Sequence, residues 1–342
     1  MIQLKGSVQG KEVIFETHER PHLDEIGAIF LIETFGTEEF LSRCAPEGII
    51  RLGIGGGDFD EHPRSGQERK NDDCTTTLVA KAMNIYEEPA LEKILKFIYN
   101  TDAKGSSHPF DLATLTTLRY QRYEDQEGTV AMTLEDIRTF YNAQLQFFTT
   151  AKEEFEKRAI IDEIVNGNRT YKIVSIVSDN PMVNRFARSV HGADASVVIQ
   201  KNTSGHTQIF TNQRHGVVLY DVVQMVRIKE QMCKGINGTI TDWKILASDG
   251  KIDGLPEWYF QEQGQILLNG SLTNQDAPPT RLKLDNIRKI VQIALDRQKF
   301  PISHANECRR GICTSSKREP CEFYPCGLHR CRKIRYDMKN SK

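Results

Sequence analysis

No stretch of this sequence approaches the roughly 18 consecutive apolar residues that a membrane span needs. The amino terminus MIQLKGSVQGKE also lacks the apolar run of an export signal. From these absences a cytoplasmic chain with no membrane partner is expected. Internal repeats and low-complexity tracts are missing too, which leaves an ordinary globular chain. Net charge is almost nil, with 45 Lys/Arg against 46 Asp/Glu, but the balance is uneven: residues 304–342 hold ten Lys/Arg and four Asp/Glu. Cysteine is sparse outside that tail, so no disulfide framework is expected. Cys44, Cys74 and Cys233 are isolated and read as small buried hydrophobes. What is present, 342 residues with 39% hydrophobic content, suffices for two or three domains.

The first stretch alternates strand and helix signals, predicting an α/β fold with a parallel sheet. KEVIFETH reads as a strand, EIGAIFLIETFG as a helix and GIIRLGIGGGD as a strand running into glycines. CTTTLVAKAMN and PALEKILKFIYNTD read as helices, the second burying Leu91, Ile94, Leu95 and Ile98 along one face. A long helix is expected from Thr133, with Thr133 and Asp136 as its capping pair, to about Val165. After NGNRT a second, smaller α/β lobe follows: strand YKIVSIVSD, helix NPMVNRFARSV, a hairpin over 195–212, helix LYDVVQMVRIKEQM, a hairpin over 257–272 and a closing helix from Leu284. The expected organisation is therefore a first domain over 1–125, a connecting helical segment over 126–168, a second domain over 169–300 and a Cys-rich tail over 301–342.

Between the first strand and helix, HERPHLDEIGA crowds His18, His22 and Asp24 into seven positions. Such a loop at the carboxyl end of a strand is where α/β sheets place ligands. The bland alternative is two surface histidines beside a helix-capping aspartate. Downstream, GGGDFDEHP again follows a strand and again sets acids beside an imidazole: Asp58, Asp60, Glu61 and His62. Asp102, at the carboxyl end of its helix, stands where the dipole disfavours a negative charge unless a cation is near. Three such groups in one lobe suit a divalent metal.

HERPHLDEIGA resembles the first motif of the DHH phosphoesterase superfamily, His-x-Asn-Pro-Asp-x-Asp-Ala-Ile-Gly-Ser, with His22 in place of its first aspartate. That replacement, together with Thr17 and His18, is similar to the Myg-type exonuclease branch. In GGGDFDEHP, Asp60, Glu61 and His62 take the positions of the branch's Asp-His-His, and Asp102 lies where a fourth motif supplies an aspartate. The resemblance covers about residues 12–110. It departs at Gly53, where the second motif carries an aspartate that bridges two metals; either Asp58 takes its place or the bridge is absent.

The resemblance implies one or two Mn²⁺ or Mg²⁺ ions held by His18, His22, Asp24, Asp58, His62 and Asp102. It casts Asp24, Glu61, His62 and Asp102 as the catalytic set, with Asp60 orienting His62. A second lobe that grips substrate is implied as well, through Gly205, His206, Asn269, Ser271, Thr273, Thr280 and Arg281. The expected activity is metal-dependent hydrolysis of phosphodiester bonds at nucleic acid ends or in short oligonucleotides, with single-stranded nucleic acid as the partner. The alternatives are a degenerate relative that binds nucleic acid or a nucleotide without cleaving it, and a small-molecule phosphoesterase or pyrophosphatase.

The tail holds Cys308, Cys313, Cys321, Cys326 and Cys331 with His304 and His329. Cys313, Cys321, Cys326 and His329 come close to a zinc-finger spacing, so Zn²⁺ is the expected occupant. An iron–sulfur cluster and pairwise disulfides are the other readings. The interleaved basic and aromatic residues suit a phosphate backbone, unless the basic tail docks on the acidic body instead.

Overall fold

The computed structural model describes residues 1–62, 73–166, 168–236, 240, 242–270 and 276–295. Ser271, Thr273 and all the tail ligands, Cys308, Cys313, Cys321, Cys326, His329 and Cys331, lie outside the described residues. The chain is α/β and divides into two compact units, Met1–Phe148 and a second that begins at Thr149.

In the first unit, β1 (Ile2–Val8) and β2 (Lys11–Thr17) form an antiparallel hairpin in register from Ile2↔Thr17 to Val8↔Lys11. Gln9 and Gly10 turn the chain at φ 50° and 84°, the two-residue geometry that follows strand twist. Two helices follow, α1 (Leu23–Phe35) and α2 (Glu38–Cys44), before β3 (Ile49–Arg51) returns parallel to β2. The sheet is thus mixed, not parallel as expected, because the period-two pattern of Ile2, Leu4 and Val8 adds an antiparallel strand ahead of the crossover.

Helices α3 (Thr75–Ala82), α4 (Glu92–Lys104), α5 (Leu112–Arg122) and α6 (Gln126–Gln146) complete the unit. Every residue of α1 from Leu23 to Ile32 is buried, because β1, α3, α4 and α6 all pack around it. Gly27 permits that density: a Cβ there would stand 2.5 Å from Thr76 Oγ1 and 2.6 Å from Ile98 Cδ1. Leu91, Ile94, Leu95 and Ile98 are all buried, as their spacing predicts.

The long helix starts and stops earlier than predicted. Its cap is Asp125, whose carboxylate accepts the Gly128 amide at 2.8 Å. Thr133 instead lies buried mid-helix with its hydroxyl on the Thr129 carbonyl, and Asp136 pairs with Arg119 at 3.0 Å. After α6 a π-helical turn, Phe147–Ala151, leads into α7 (Lys152–Arg158), and residues expected to remain helical form β4 (Ile160–Asn166).

The second unit is built on a sheet whose order among the described residues is β4, β5 (Arg169–Val177), β6 (Val197–Lys201), β7 (Thr207–Thr211), β10 (Ile266–Leu268), β9 (Leu255–Gln261) and β8 (Gly250–Ile252). Among the described residues only β5 and β6 run parallel, through the crossover helix α8 (Pro181–Ala187). Helices α9 (Tyr220–Lys234), α10 (Trp243–Leu246) and α11 (Leu284–Leu295) follow, and α9 and α11 cover the sheet. Trp258, Phe260, Val226, Ile287 and Val291 fill its core. Arg227 is fully buried there and donates to the carbonyls of Leu246, Ser248, Gly250 and Trp258, and burial pulls its pKa down to about 10. Among the described residues no helix is long and apolar enough to cross a membrane.

Candidate metal centre

The carboxyl end of β2 hands the chain to α1 through the loop that carries His18 and His22. Glu25 fixes that loop. It sits at the third position of α1, accepts the His22 amide at 2.5 Å, and receives His18 Nδ1 on its other oxygen. A proton on Nδ1 leaves Nε2 of His18 with its lone pair exposed, the form a metal ligand needs. Glu25 is 1% exposed and was not among the expected site residues, since a glutamate in a first helical turn reads as an ordinary cap.

Gly53, just beyond β3, explains where Glu25 finds room. Its φ of +66° favours glycine, and a Cβ there would lie 2.8 Å from Glu25 Oε1 and 3.2 Å from Thr75 Oγ1. The Glu25 carboxyl therefore fills the space a side chain at position 53 would claim. Asp58, the expected substitute, is solvent-exposed and belongs to no cluster of potential ligands among the described residues. The turn that carries it is open to water while the converging acids are buried, so the structure does not bring Asp58 to the cluster.

After the glycine turn, Asp60 is held by the amides of Gly56 at 2.6 Å and His62 at 2.9 Å, and it meets His62 Nδ1 at 3.1 Å. Burial raises its pKa, but these donors outweigh it and the carboxyl sits below its ordinary range. Asp60 stands against the ring, and the contact at Nδ1 leaves Nε2 of His62 free of that bond. The threonines that open α3 tie the loops together. Thr75 donates to Glu61 at 2.8 Å and Thr76 to the Asp24 carbonyl.

Asp24, Glu61 and Asp102 bring carboxylate oxygens within 4.8 Å of one another. Two further groups meet the same limit: Asp60, Glu61 and His62, and His22, Asp24 and Glu25. Glu61 and Asp24 are shared, so all seven residues form one connected set. The His18 ring lies beside it, centroid 6.2 Å from His22 and 6.1 Å from His62. Imidazoles stand at the mouth, with His62 60% exposed, while the Asp24 and Glu61 side chains are buried behind them. Burial, followed by the charges of Asp102, Glu25 and Glu61, drives the Asp24 carboxyl well above its ordinary range. Oxygen and imidazole donors converging on such concentrated negative charge could hold a divalent cation. A cavity of about 380 Å³ opens beside Asp24 and Asp102.

The expected substrate groups of the second unit that are described are tied into its framework. His206 bonds Ser204 Oγ and the Ala277 carbonyl, each at 2.9 Å, in the turn that Gly205 makes at φ +91°. Asn269 holds the Glu257 and Pro278 carbonyls and the Thr280 amide, Thr280 donates to buried Glu230, and Arg281 reaches the Cys233 carbonyl. Of the isolated cysteines, Cys74 is buried as predicted, Cys44 is partly buried and Cys233 is exposed, because it lies on the open face of α9. No family model, curated protein or solved structure matches this chain.

Proposed function

We propose that the chain is a divalent-metal-dependent phosphodiesterase acting on nucleic acid ends or short oligonucleotides, in the manner of the DHH superfamily its motifs resemble. The observation that carries the reading is the convergence of Asp24, Glu61 and Asp102 from three separate segments, with His18, His22 and His62 around them. A bound Mn²⁺ or Mg²⁺ would neutralise phosphoryl oxygens and activate a water. The chain's own contribution is positional. Glu25 and Asp60 each hold an imidazole by Nδ1, and Thr75 steadies Glu61 so that the buried acids face one point. Burial, and then the charges of Asp102, Glu25 and Glu61, raise the Asp24 pKa well above its ordinary range, and a bound divalent cation would offset that rise.

The test is release of mononucleotides from short RNA or DNA with manganese present, abolished by Asp24→Ala and by His62→Ala. Absence of turnover in a protein that binds manganese stoichiometrically would overturn it. One observation favours a second reading, binding without cleavage: the glycine at position 53 supplies no carboxylate from the end of β3, and Glu25, which fills the gap, already has both oxygens engaged. The basic tail with its expected Zn²⁺ fits either reading.

A further inference from the structure

The cavity beside Asp24 and Asp102 is larger than any ion requires. The hydroxyls on its wall are committed: Tyr120 donates to the Pro21 carbonyl, Thr101 to that of Phe97 and Thr116 to that of Leu112. Leu23, Ile98 and Ala113 give it an apolar side, beside the polar Thr117, Gln121 and His22. Arg20 also lines it, and its guanidinium has no hydrogen-bond or ion-pair partner among the described residues. The backbone there is held at φ +57°, a conformation that L residues other than Asn and Asp seldom adopt, by its amide's bond to Gln126 Oε1 at 3.1 Å. Unusual backbone retained beside a reactive cluster points to use of the side chain it presents.

We propose that this cavity is a substrate subsite for one terminal nucleotide, and that Arg20 is its specificity-determining residue, binding a phosphomonoester on that terminus. The inference rests on the phosphodiesterase reading, and places the scissile phosphate at the carboxylate cluster with the second phosphate at Arg20. About 380 Å³ lies near the small end of the roughly 300–1,000 Å³ that ligand pockets span, room for one nucleotide. The apolar wall suits a sugar or base, and the guanidinium fork matches two phosphate oxygens. The acids repel any free phosphate, so a terminal phosphate needs a cation set apart from them, which Arg20 supplies.

The full chain, with Ca²⁺ in place of manganese, is titrated calorimetrically with a 5′-phosphorylated, a 3′-phosphorylated and an unphosphorylated dinucleotide. Arg20→Asn, which tolerates positive φ, and Arg20→Lys are compared with wild type. One phosphorylated form should bind wild type about tenfold or more tightly than the unphosphorylated one, as loss of charge-assisted hydrogen bonds predicts. Arg20→Asn should erase that preference and leave the unphosphorylated affinity unchanged, with Arg20→Lys between. Equal affinities in wild type, a preference that survives in Arg20→Asn, or no binding of any of the three overturns the subsite. Turnover with manganese is read in parallel. Turnover without the preference sinks the subsite alone, and the preference without turnover sinks the phosphodiesterase reading alone.

Discussion

Replacing Asp24 by asparagine should stabilise the metal-free protein, although it removes a buried, hydrogen-bonded carboxyl. The oxygens of Asp24, Glu61 and Asp102 lie within 4.8 Å of one another. At an effective dielectric constant of about 20, two unit charges at that distance repel by about 3.5 kcal/mol. The protein lessens this by raising the Asp24 pKa well above 3.8, through burial and then through Asp102, Glu25 and Glu61, so that its proton is held more tightly. The folded state then binds this proton more tightly than the unfolded chain does. Stability from this group is complete below pH about 3.8 and is lost as pH rises through the raised folded value. Asparagine keeps the shape and offers an amide to the neighbouring acids and to the Thr75 hydroxyl, whose own proton goes to Glu61. In EDTA at pH 8 the variant should gain about 1–3 kcal/mol, and its urea midpoint should lack the wild type's decline with pH. Manganese at about a hundredfold excess over Kd should stabilise wild type by about 2.7 kcal/mol and the variant by far less. A variant less stable than wild type in EDTA at pH 8, or one that responds equally to manganese, refutes the account of the cluster as a cation site.

Glu25→Gln should fold but bind manganese about 10- to 100-fold more weakly in calorimetric titration, because the His18 tautomer is no longer fixed. Gly27→Ala forces a methyl against Thr76 and Ile98 and should cost about 1–3 kcal/mol in urea unfolding. Burial pushes the Cys74 thiol up to about 12, so iodoacetamide at pH 8 should modify exposed Cys233 and spare Cys74, as read by peptide mass spectrometry. Removing residues 304–342 takes away ten Lys/Arg, and the log–log salt slope of oligonucleotide binding should flatten by about 0.7 for each phosphate that the tail neutralises.

Where one periodicity held over a whole segment, the sequence announced the structure. KEVIFET alternates and is β2, and the spacing of Leu91, Ile94, Leu95 and Ile98 is the buried face of α4. The loop between a strand and a helix drew attention to His18, His22 and Asp24 for a reason the fold respects: strand ends in such sheets leave room for ligands. Segments with two compatible periods were misread. IIDEIVN places apolar residues at Ile160, Ile161, Ile164 and Val165, a spacing that fits a helix, yet it pairs with β5 from Ile160↔Ser175 to Asn166↔Arg169. Its β-branched content was the signal for a strand. Thr133 and Asp136 mimic a capping pair, but the Asp125 side chain caps α6 two turns earlier.

Glu25 and Gly53 show a limit of another kind. Far apart in the chain, neither carries a local sign of the other: one reads as a helix cap, the other as a turn glycine. Only the parallel return of β3 beside β2 brings them together, and then the missing side chain of one becomes the space of the other. A carboxyl that reaches the centre from the start of α1 depends on the helix backbone for its position and holds two imidazole-bearing residues as it does so. The exchange therefore couples the geometry of His18 and His22 to a single buried glutamate, so that moving Glu25 disturbs both histidines at once.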